Sequence, residues 1–417
     1  MPKHLITPGR IAIGYAGLGG RGVGELHTLL AMPELDFPAV CDVYEDRAIK
    51  GADIVELSGR SRPAIYSDYR EMVKRDDIDA VGIMTSWQTH VEIAVAAMRA
   101  GKEAFMEVGC ASSVEECWEL VRIHEQNGTS ACLIENCCYG EDELALLNMV
   151  KQGIFGTLIH CEAGYEHDLR AEIATGYERR HYRLDNFIHR NGELYPTHGL
   201  GPMCKLLDIN RGNRMVSLVS MASRAEGLGE WIKKNHPADH VLQNKHIAQG
   251  DIVKTLIKCA HGQTITLTHD CTLPRPYSRA GRVQGTGGLW MEDGANIYIE
   301  GRSPNHQWEK WDGYRAEYAH PLWKQYRTAG IRGGHGGMDY LVLSAFVDAV
   351  RGGHPPPIDV YDTAAWMSIT ALSEQSAAMG GAPVPVPDFT NGLWIAREPF
   401  HRGVYCLEEV CEEYFNA

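Results

Sequence analysis

The run Gly17-Leu18-Gly19-Gly20-Arg21-Gly22 follows directly on the apolar stretch Ile11-Ala12-Ile13-Gly14-Tyr15-Ala16 and precedes an apolar-periodic stretch from Val23 to Met32. A strand, a G-x-G-x-x-G turn and a helix in that order leave few folds open. The glycines permit a tight turn and let backbone N–H groups approach a pyrophosphate, which the helix N-terminus then stabilises. Taken alone, the run also fits a plain glycine-rich turn. Asp42 shifts the balance, because it ends the second predicted strand, Phe37 to Cys41, where a carboxylate meets the adenosine ribose hydroxyls. A carboxylate there favours NAD over NADP. Arg47 nearby leaves a 2′-phosphate open, and a regulatory nucleotide-binding protein would carry the same loop.

The chain around this loop reads as alternating strands and helices. Further strands are expected at Ala80 to Met84, Glu103 to Met106 and Ser130 to Ile134, with helices at Val91 to Ala100 and Val114 to Gln126, the second opened by Ser113 and Glu116 as a capping box. That pattern predicts a parallel Rossmann sheet. After a bridging helix near Glu141 to Gln152 the character changes. Leu158 to Gly164, Met215 to Met221, Ile252 to Cys259, Thr264 to Thr268 and Ala295 to Ile299 read as strands with no long helices between them over most of this half. Late helices are expected at Met338 to Arg351 and Tyr361 to Met379. The predicted fold class is therefore α/β plus α+β: a Rossmann dinucleotide-binding domain over 1–138, then a domain over 139–417 with a large, mostly antiparallel sheet and late helices packing back on it.

Composition narrows the function. With 417 residues the chain is long for one core. A formal net charge of −14 disfavours a nucleic-acid or anionic-membrane partner and points to a small-molecule ligand. Met1 to Pro8 lack the apolar stretch of a signal peptide, and no later segment approaches a membrane span, so a cytoplasmic protein with reduced thiols is expected. The twelve cysteines, with Cys137-Cys138 adjacent and Cys406 and Cys411 widely spaced, show no zinc knuckle, and His160, His167 and His181 match no metal-ligand motif. No metal is expected.

Three predicted strands end in polar groups: Trp87 to His90 after the fourth, Glu107 after the fifth, and Glu135-Asn136 after the sixth. Ligands of such sheets bind at that carboxyl edge. Against this stand helix capping by Thr89 and simple packing by Trp87. In the second half, Tyr165-Glu166-His167-Asp168-Leu169-Arg170 puts ionisable groups straight after a strand, and Tyr195-Pro196-Thr197-His198 leads into an apolar helix. If helical already, Tyr195 and His198 share a face and suit proton transfer to sugar hydroxyls, although His198 as a mere cap fits the spacing too. The glycine-rich run around His335 reads as a ligand-approach loop or a flexible turn.

The dinucleotide loop, the Trp87 to His90 strand end, Glu107 and the sheet-rich second half together resemble the Gfo/Idh/MocA oxidoreductase superfamily. Within it, Glu135-Asn136-Cys137-Cys138-Tyr139, Tyr165 to Arg170, Tyr195-Pro196-Thr197-His198-Gly199-Leu200-Gly201-Pro202 and Gly334-His335-Gly336-Gly337-Met338-Asp339 resemble glycoside hydrolase family 109, which contains NAD-dependent α-N-acetylgalactosaminidases. Ordinary superfamily dehydrogenases carry Glu-Lys-Pro where this chain has Glu107-Val108-Gly109, so the usual catalytic lysine is absent.

The resemblance implies an NAD-dependent exo-glycosidase. It would oxidise the sugar transiently at C3, eliminate across C1–C2, add water and re-reduce. Tyr165 is then the implied C2 base, His198 assists at the C3 hydroxyl, and Tyr195 completes the catalytic set. Glu135, Arg183, Tyr195, Tyr277 and His335 are the implied substrate contacts. Gly17, Leu18, Gly19, Gly20, Arg21, Gly22, Asp42, Trp87, His90, Glu107 and Asn136 are the implied NAD contacts. A homo-dimer or homo-tetramer is implied as well. A net NAD-dependent sugar or inositol dehydrogenase and a non-catalytic NAD-binding sensor are the alternatives.

Overall fold

The computed structural model describes residues 9–397 and 402–415. Met1 to Pro8, from which the absence of a signal peptide was read, lie outside the described residues.

Six short strands, β1 (Ile11–Ala16), β2 (Leu35–Cys41), β3 (Ala64–Tyr66), β4 (Ala80–Ile83), β5 (Glu103–Met106) and β6 (Ala131–Leu133), form a wholly parallel sheet in the order β3-β2-β1-β4-β5-β6. The order reverses between β1 and β4. The carboxyl edge at such a reversal is where sheets of this kind hold ligands. The strands are apolar throughout because helices cover both faces: β1, β4 and β6 are buried at every position. The helix Val114–Asn127 is capped as expected, with the Glu116 amide donating to Ser113 Oγ at 3.2 Å, but the Glu116 carboxylate turns to the Ser112 amide at 2.6 Å.

The second sheet has nine strands: β7 (Leu158–Glu166), β8 (Met215–Ala222), β9 (Ile252–Cys259), β10 (Thr264–Asp270), β11 (Arg282–Gly285), β12 (Gly288–Met291), β13 (Asn296–Ile299), β14 (Glu309–Lys310) and β15 (Val384–Pro385). They run in the order β14-β13-β12-β11-β7-β10-β9-β8-β15, antiparallel at every pairing except β7 with β10. In β9 the alternation is plain: Val253, Thr255, Ile257 and Cys259 face in, while Lys254, Leu256 and Lys258 face out.

Among the described residues no long helix separates β7 through β14, as expected, but this half holds several short ones that the sequence did not signal. Helices occupy Arg170–Ala174, Gly176–Arg179, Arg183–His189, Gly227–Asn235, Trp311–Glu317 and Pro321–Ala329. Each is nine residues or shorter, too brief for a 3.6-residue period to stand out from its flanking turns.

The helix Val360–Ala378 ties the two sheets together. It is buried on nearly every face and packs against β6, β8 and Val114–Asn127. Thr363 Oγ1 accepts the Leu133 amide at 3.1 Å, and Ser376 Oγ accepts the Ser220 amide at 2.8 Å. A second tie is ionic. Lys205, on the helix Thr197–Leu206, meets Asp362 at 2.7 Å and Glu408 at 2.9 Å, and Arg211 reaches the same two acids. Mutual pairing is what lets these charges stay buried. The anchored helix is the one that carries His198.

Candidate active site

The glycine loop is shaped by contacts as close as backbone packing allows. Gly17 has φ +95°, and a Cβ there would stand 2.4 Å from the Met84 backbone; one on Gly22 would stand 2.1 Å from Gly17 O. Both positions require glycine. At Gly20, by contrast, a Cβ would meet nothing within 4 Å, and the helix Gly20–Leu30 has no side-chain cap on its N-terminus. Open space beside uncapped helix amides fits a diphosphate. Asp42 is buried and braces the loop, accepting the Leu18 amide at 2.8 Å and the Tyr44 amide at 2.9 Å. Arg47 donates to the carbonyls of Arg179 and Arg180, and Arg180 pairs with Asp46 at 2.8 Å. The segment 176–181 is thereby latched across the nucleotide half.

Arg21 points into a cluster of acids. Its guanidinium meets Glu25 at 2.7 Å, Glu107 at 3.0 Å and Asp339 at 2.7 Å, and it lies 3.0 Å from His335 Nδ1. Asn136 Nδ2 donates to the same Asp339 at 2.6 Å. One cation cannot balance three buried carboxylates. Burial pushes Glu25 up to about 9 against the pull of Arg21, whereas Asp339, with His335 and Arg21 both hydrogen-bonded to it, overcomes its burial and falls well below the carboxylate range. The glycine-rich run around His335 is thus tied down rather than a free turn. His335 itself stands at the nucleotide loop, with Arg21 and Asp339 as its partners.

Past Glu107 lies a cluster of rings. Tyr165, on β7, has its ring centroid 4.5 Å from Tyr195, 5.6 Å from His198 and 6.3 Å from the half-exposed Tyr277. The helix begins at Thr197, so Tyr195 precedes it, and the Tyr195 and His198 rings still meet edge to face at 4.9 Å. The capping role considered for His198 is not what is found. Its Nδ1 is bonded to Glu135 Oε1 at 2.7 Å, which leaves Nε2 for other partners. Glu135 is fully buried at the end of β6, and burial raises its carboxyl. The His198 imidazole, then the Thr197 side chain and the Cys137 amide, more than reverse this and hold the carboxyl below its usual value. Burial pushes the Tyr165 phenol up to about 12 despite Arg183.

Trp87 and Arg183 wall this cluster. Trp87 is buried and packs on Tyr182 at 4.9 Å and Tyr195 at 5.5 Å. Arg183 sits over the Trp87 and Tyr195 rings, with its Nε 3.0 Å from Glu172 and Nη1 buried without a partner. Thr89 does not cap: the helix runs Trp87–Arg99 with Ser86 at its N-cap, and Thr89 bonds back to Thr85 and Ser86. His90 is fully buried with Nε2 on Thr85 O at 3.1 Å. Gly109 now has a reason: a Cβ there would lie 2.4 Å from Trp87 Cδ1. Val108, where the lysine would stand, is buried.

Two participants lie inside strings the sequence singled out but carried no assigned role there. His167 Nδ1 lies 3.1 Å from Tyr165 Oη; an i, i+2 relation at a strand end was the available signal. Asp339 is the hub of the Arg21 cluster, and nothing in its spacing from Gly17–Gly22 could reveal that.

A glycine loop at the reversal point of a parallel sheet, with a cluster of Tyr165, Tyr195 and His198 from the second half, defines the class: an NAD-binding Rossmann fold of the oxidoreductase type. Residues 11–134 match the model of the oxidoreductase family with that fold, and residues 139–396 match the C-terminal domain of glycosyl hydrolase 109. The chain belongs to glycoside hydrolase family 109. It is 41% identical over 416 residues to an alpha-N-acetylgalactosaminidase of Tannerella forsythia, covering 94% of this chain and 89% of the relative, and 39% identical over 399 residues to one of Shewanella oneidensis, covering 93% and 87%. Among solved structures, levoglucosan dehydrogenase in complex with NADH and levoglucosan shares the fold, with a TM-score of 0.69 at 18% identity over 91% of this chain and all of that one. Among the described residues no helix is long and apolar enough to cross a membrane.

Proposed function

We propose that this enzyme removes terminal α-N-acetylgalactosamine-type sugars with a bound NAD that is restored in every turnover. The observation that carries the reading is the Tyr165–Tyr195–His198 cluster, in a chain whose sequence has Val108 in place of the dehydrogenase lysine. The names of the relatives support the sugar. No pair of carboxylates of the ordinary glycosidase kind is needed, which sets the mechanism outside the two-carboxylate scheme.

The loop Gly17 to Gly22, Asp42, Trp87, His90, Glu107 and Asn136 would hold the dinucleotide, which supplies a reversible hydride acceptor at sugar C3 when bound. The chain's own groups manage protons. His198 takes the C3 hydroxyl proton through Nε2, and Glu135 on Nδ1 stabilises the imidazolium that forms. A ketone at C3 makes the C2 proton acidic. Tyr165 passes its phenol proton to His167 Nδ1, Arg183 favours the phenolate, and the phenolate takes the C2 proton as the C1 substituent leaves. Water adds at C1, and the same groups return the protons in reverse order. Arg183 and Tyr277 contact the sugar. A cytoplasmic, homo-oligomeric enzyme completes the reading.

An aryl α-N-acetylgalactosaminide cleaved in D₂O tests this. Deuterium is expected at product C2 without NADH accumulating. Cleavage with the C2 hydrogen retained removes the mechanism, and stoichiometric NADH points instead to a net dehydrogenase.

A further inference from the structure

Spacing rules find no metal ligands in this chain, because they look along the sequence. Folding brings three donors together from two elements. A carboxylate oxygen of Glu135, Sγ of Cys137 and a ring nitrogen of His198 lie within 4.8 Å of one another. Glu135 and Cys137 come from the turn after β6, where the Cys137 amide binds Glu135 Oε1 at 3.1 Å and fixes their relative placement; His198 comes from the helix Thr197–Leu206. Glu135 and Cys137 are buried, and His198 is nearly so, at 0%, 2% and 9% exposure. Glu135 Oε2 has no hydrogen-bond partner. Arg279, the cation that acts on the Cys137 thiol, is spent on Glu143.

We propose that Glu135, Cys137 and His198 form an inhibitory site for a thiophilic divalent cation of the zinc type. Thiolate, imidazole and carboxylate are the donors zinc prefers, at bond lengths of about 2.0–2.3 Å, and three ligands leave a fourth position for water or a sugar oxygen. On binding, Cys137 releases its thiol proton, and thiolate and carboxylate together cancel the two charges of the ion. The ion enters where the His198–Glu135 hydrogen bond now lies, so the His198 proton moves from Nδ1 to Nε2. That nitrogen then cannot accept the C3 hydroxyl proton. Inhibition follows from the tautomer as well as from occlusion.

The test uses holoenzyme freed of metal with EDTA and then of chelator. Zn²⁺ titrated into the aryl glycoside assay is expected to inhibit, with recovery on adding chelator. Cys137→Ser and Cys137→Ala are expected to keep metal-free turnover and to need about tenfold more Zn²⁺ or beyond for half inhibition. A second arm needs no substrate. Cd²⁺ is titrated into a Cys406→Ser/Cys411→Ser background, which silences the other buried cysteine pair, beside Glu409. A sulfur-to-cadmium absorption is expected there, and its loss on adding Cys137→Ser. Equal half inhibition with and without Cys137, or no cadmium absorption in that background, overturns the site. If the glycoside is not cleaved at all, the functional reading fails while the cadmium arm still decides the metal.

Discussion

His198 Nδ1 and Glu135 Oε1 lie 2.7 Å apart, joining the helix of the second sheet's half to the last strand of the parallel sheet. The bond fixes both the tautomer of His198 and the side from which it reaches substrate. Glu135→Gln keeps the shape and removes the charge. Hydrogen bonds to charged groups contribute about 1.5–3 kcal/mol, so kcat is expected to fall about 10–150-fold. Steady-state kinetics with unchanged dinucleotide retention would show it; an unaltered kcat contradicts the role.

Tyr165 and His167 act as a pair in the proposed mechanism. Burial, and then Arg183, hold the His167 imidazole below its ordinary value, so near pH 7 it is neutral and its Nδ1 can accept from the Tyr165 hydroxyl. Tyr165→Phe is expected to abolish solvent deuterium exchange at C2. His167→Asn is expected to slow that exchange about 10²–10⁴-fold, with KM little changed. Exchange is read by mass spectrometry of the released sugar.

Glu193 is fully buried, and burial pushes its carboxyl from an ordinary 4.5 up to about 8. Its folded value is raised, so below about 4.5 both states are protonated and no penalty exists. Between about 4.5 and about 8 the unfolded chain ionises while the folded one does not, and stability falls by about 1.4 kcal/mol per pH unit at most. Glu193→Gln removes this dependence. Its Tm relative to the parent is expected to climb across that window and then level off, as calorimetry at several pH values would report. A constant Tm difference argues against the raised value.

Gly109→Ala drives a methyl group toward Trp87, which in turn supports Tyr195 and Arg183. Overpacking of this kind costs about 1–3 kcal/mol. A lower Tm and a reduced kcat are expected together, and both should recover in part when Trp87→Phe makes room. A neutral Gly109→Ala would mean the indole moves freely.

The fold class was legible because its signals are local: apolar strands, a glycine turn and an uncapped helix lie within the first few dozen residues. The Val360–Ala378 helix was legible by length even though it lacks an apolar stripe, since it is buried on almost all sides. The short helices of 170–189 were not, because four to seven residues carry no period. In the site, the strings holding Tyr165, Tyr195 and His198 stood out as unusual chemistry. Partnerships did not. Arg21 with Asp339, and Glu135 and Cys137 with His198, join positions that only the packed chain brings together. His335 illustrates the difference: its glycine surroundings flagged it, while its place beside Arg21 is a matter of tertiary contact.

The contact between Gly109 and Trp87 also bears on how this enzyme can change over generations. Installing the Glu-Lys-Pro triplet of ordinary dehydrogenases means lysine at 108 and proline at 109. The lysine alone would enter a buried position, and any residue with a Cβ at 109 collides with the indole. Trp87 would have to shrink first, at the expense of Tyr195 and Arg183. The Glu-Lys-Pro triplet is therefore not one substitution away from this chain: position 109 and Trp87 must change together, because a Cβ at 109 has no room while the indole stands.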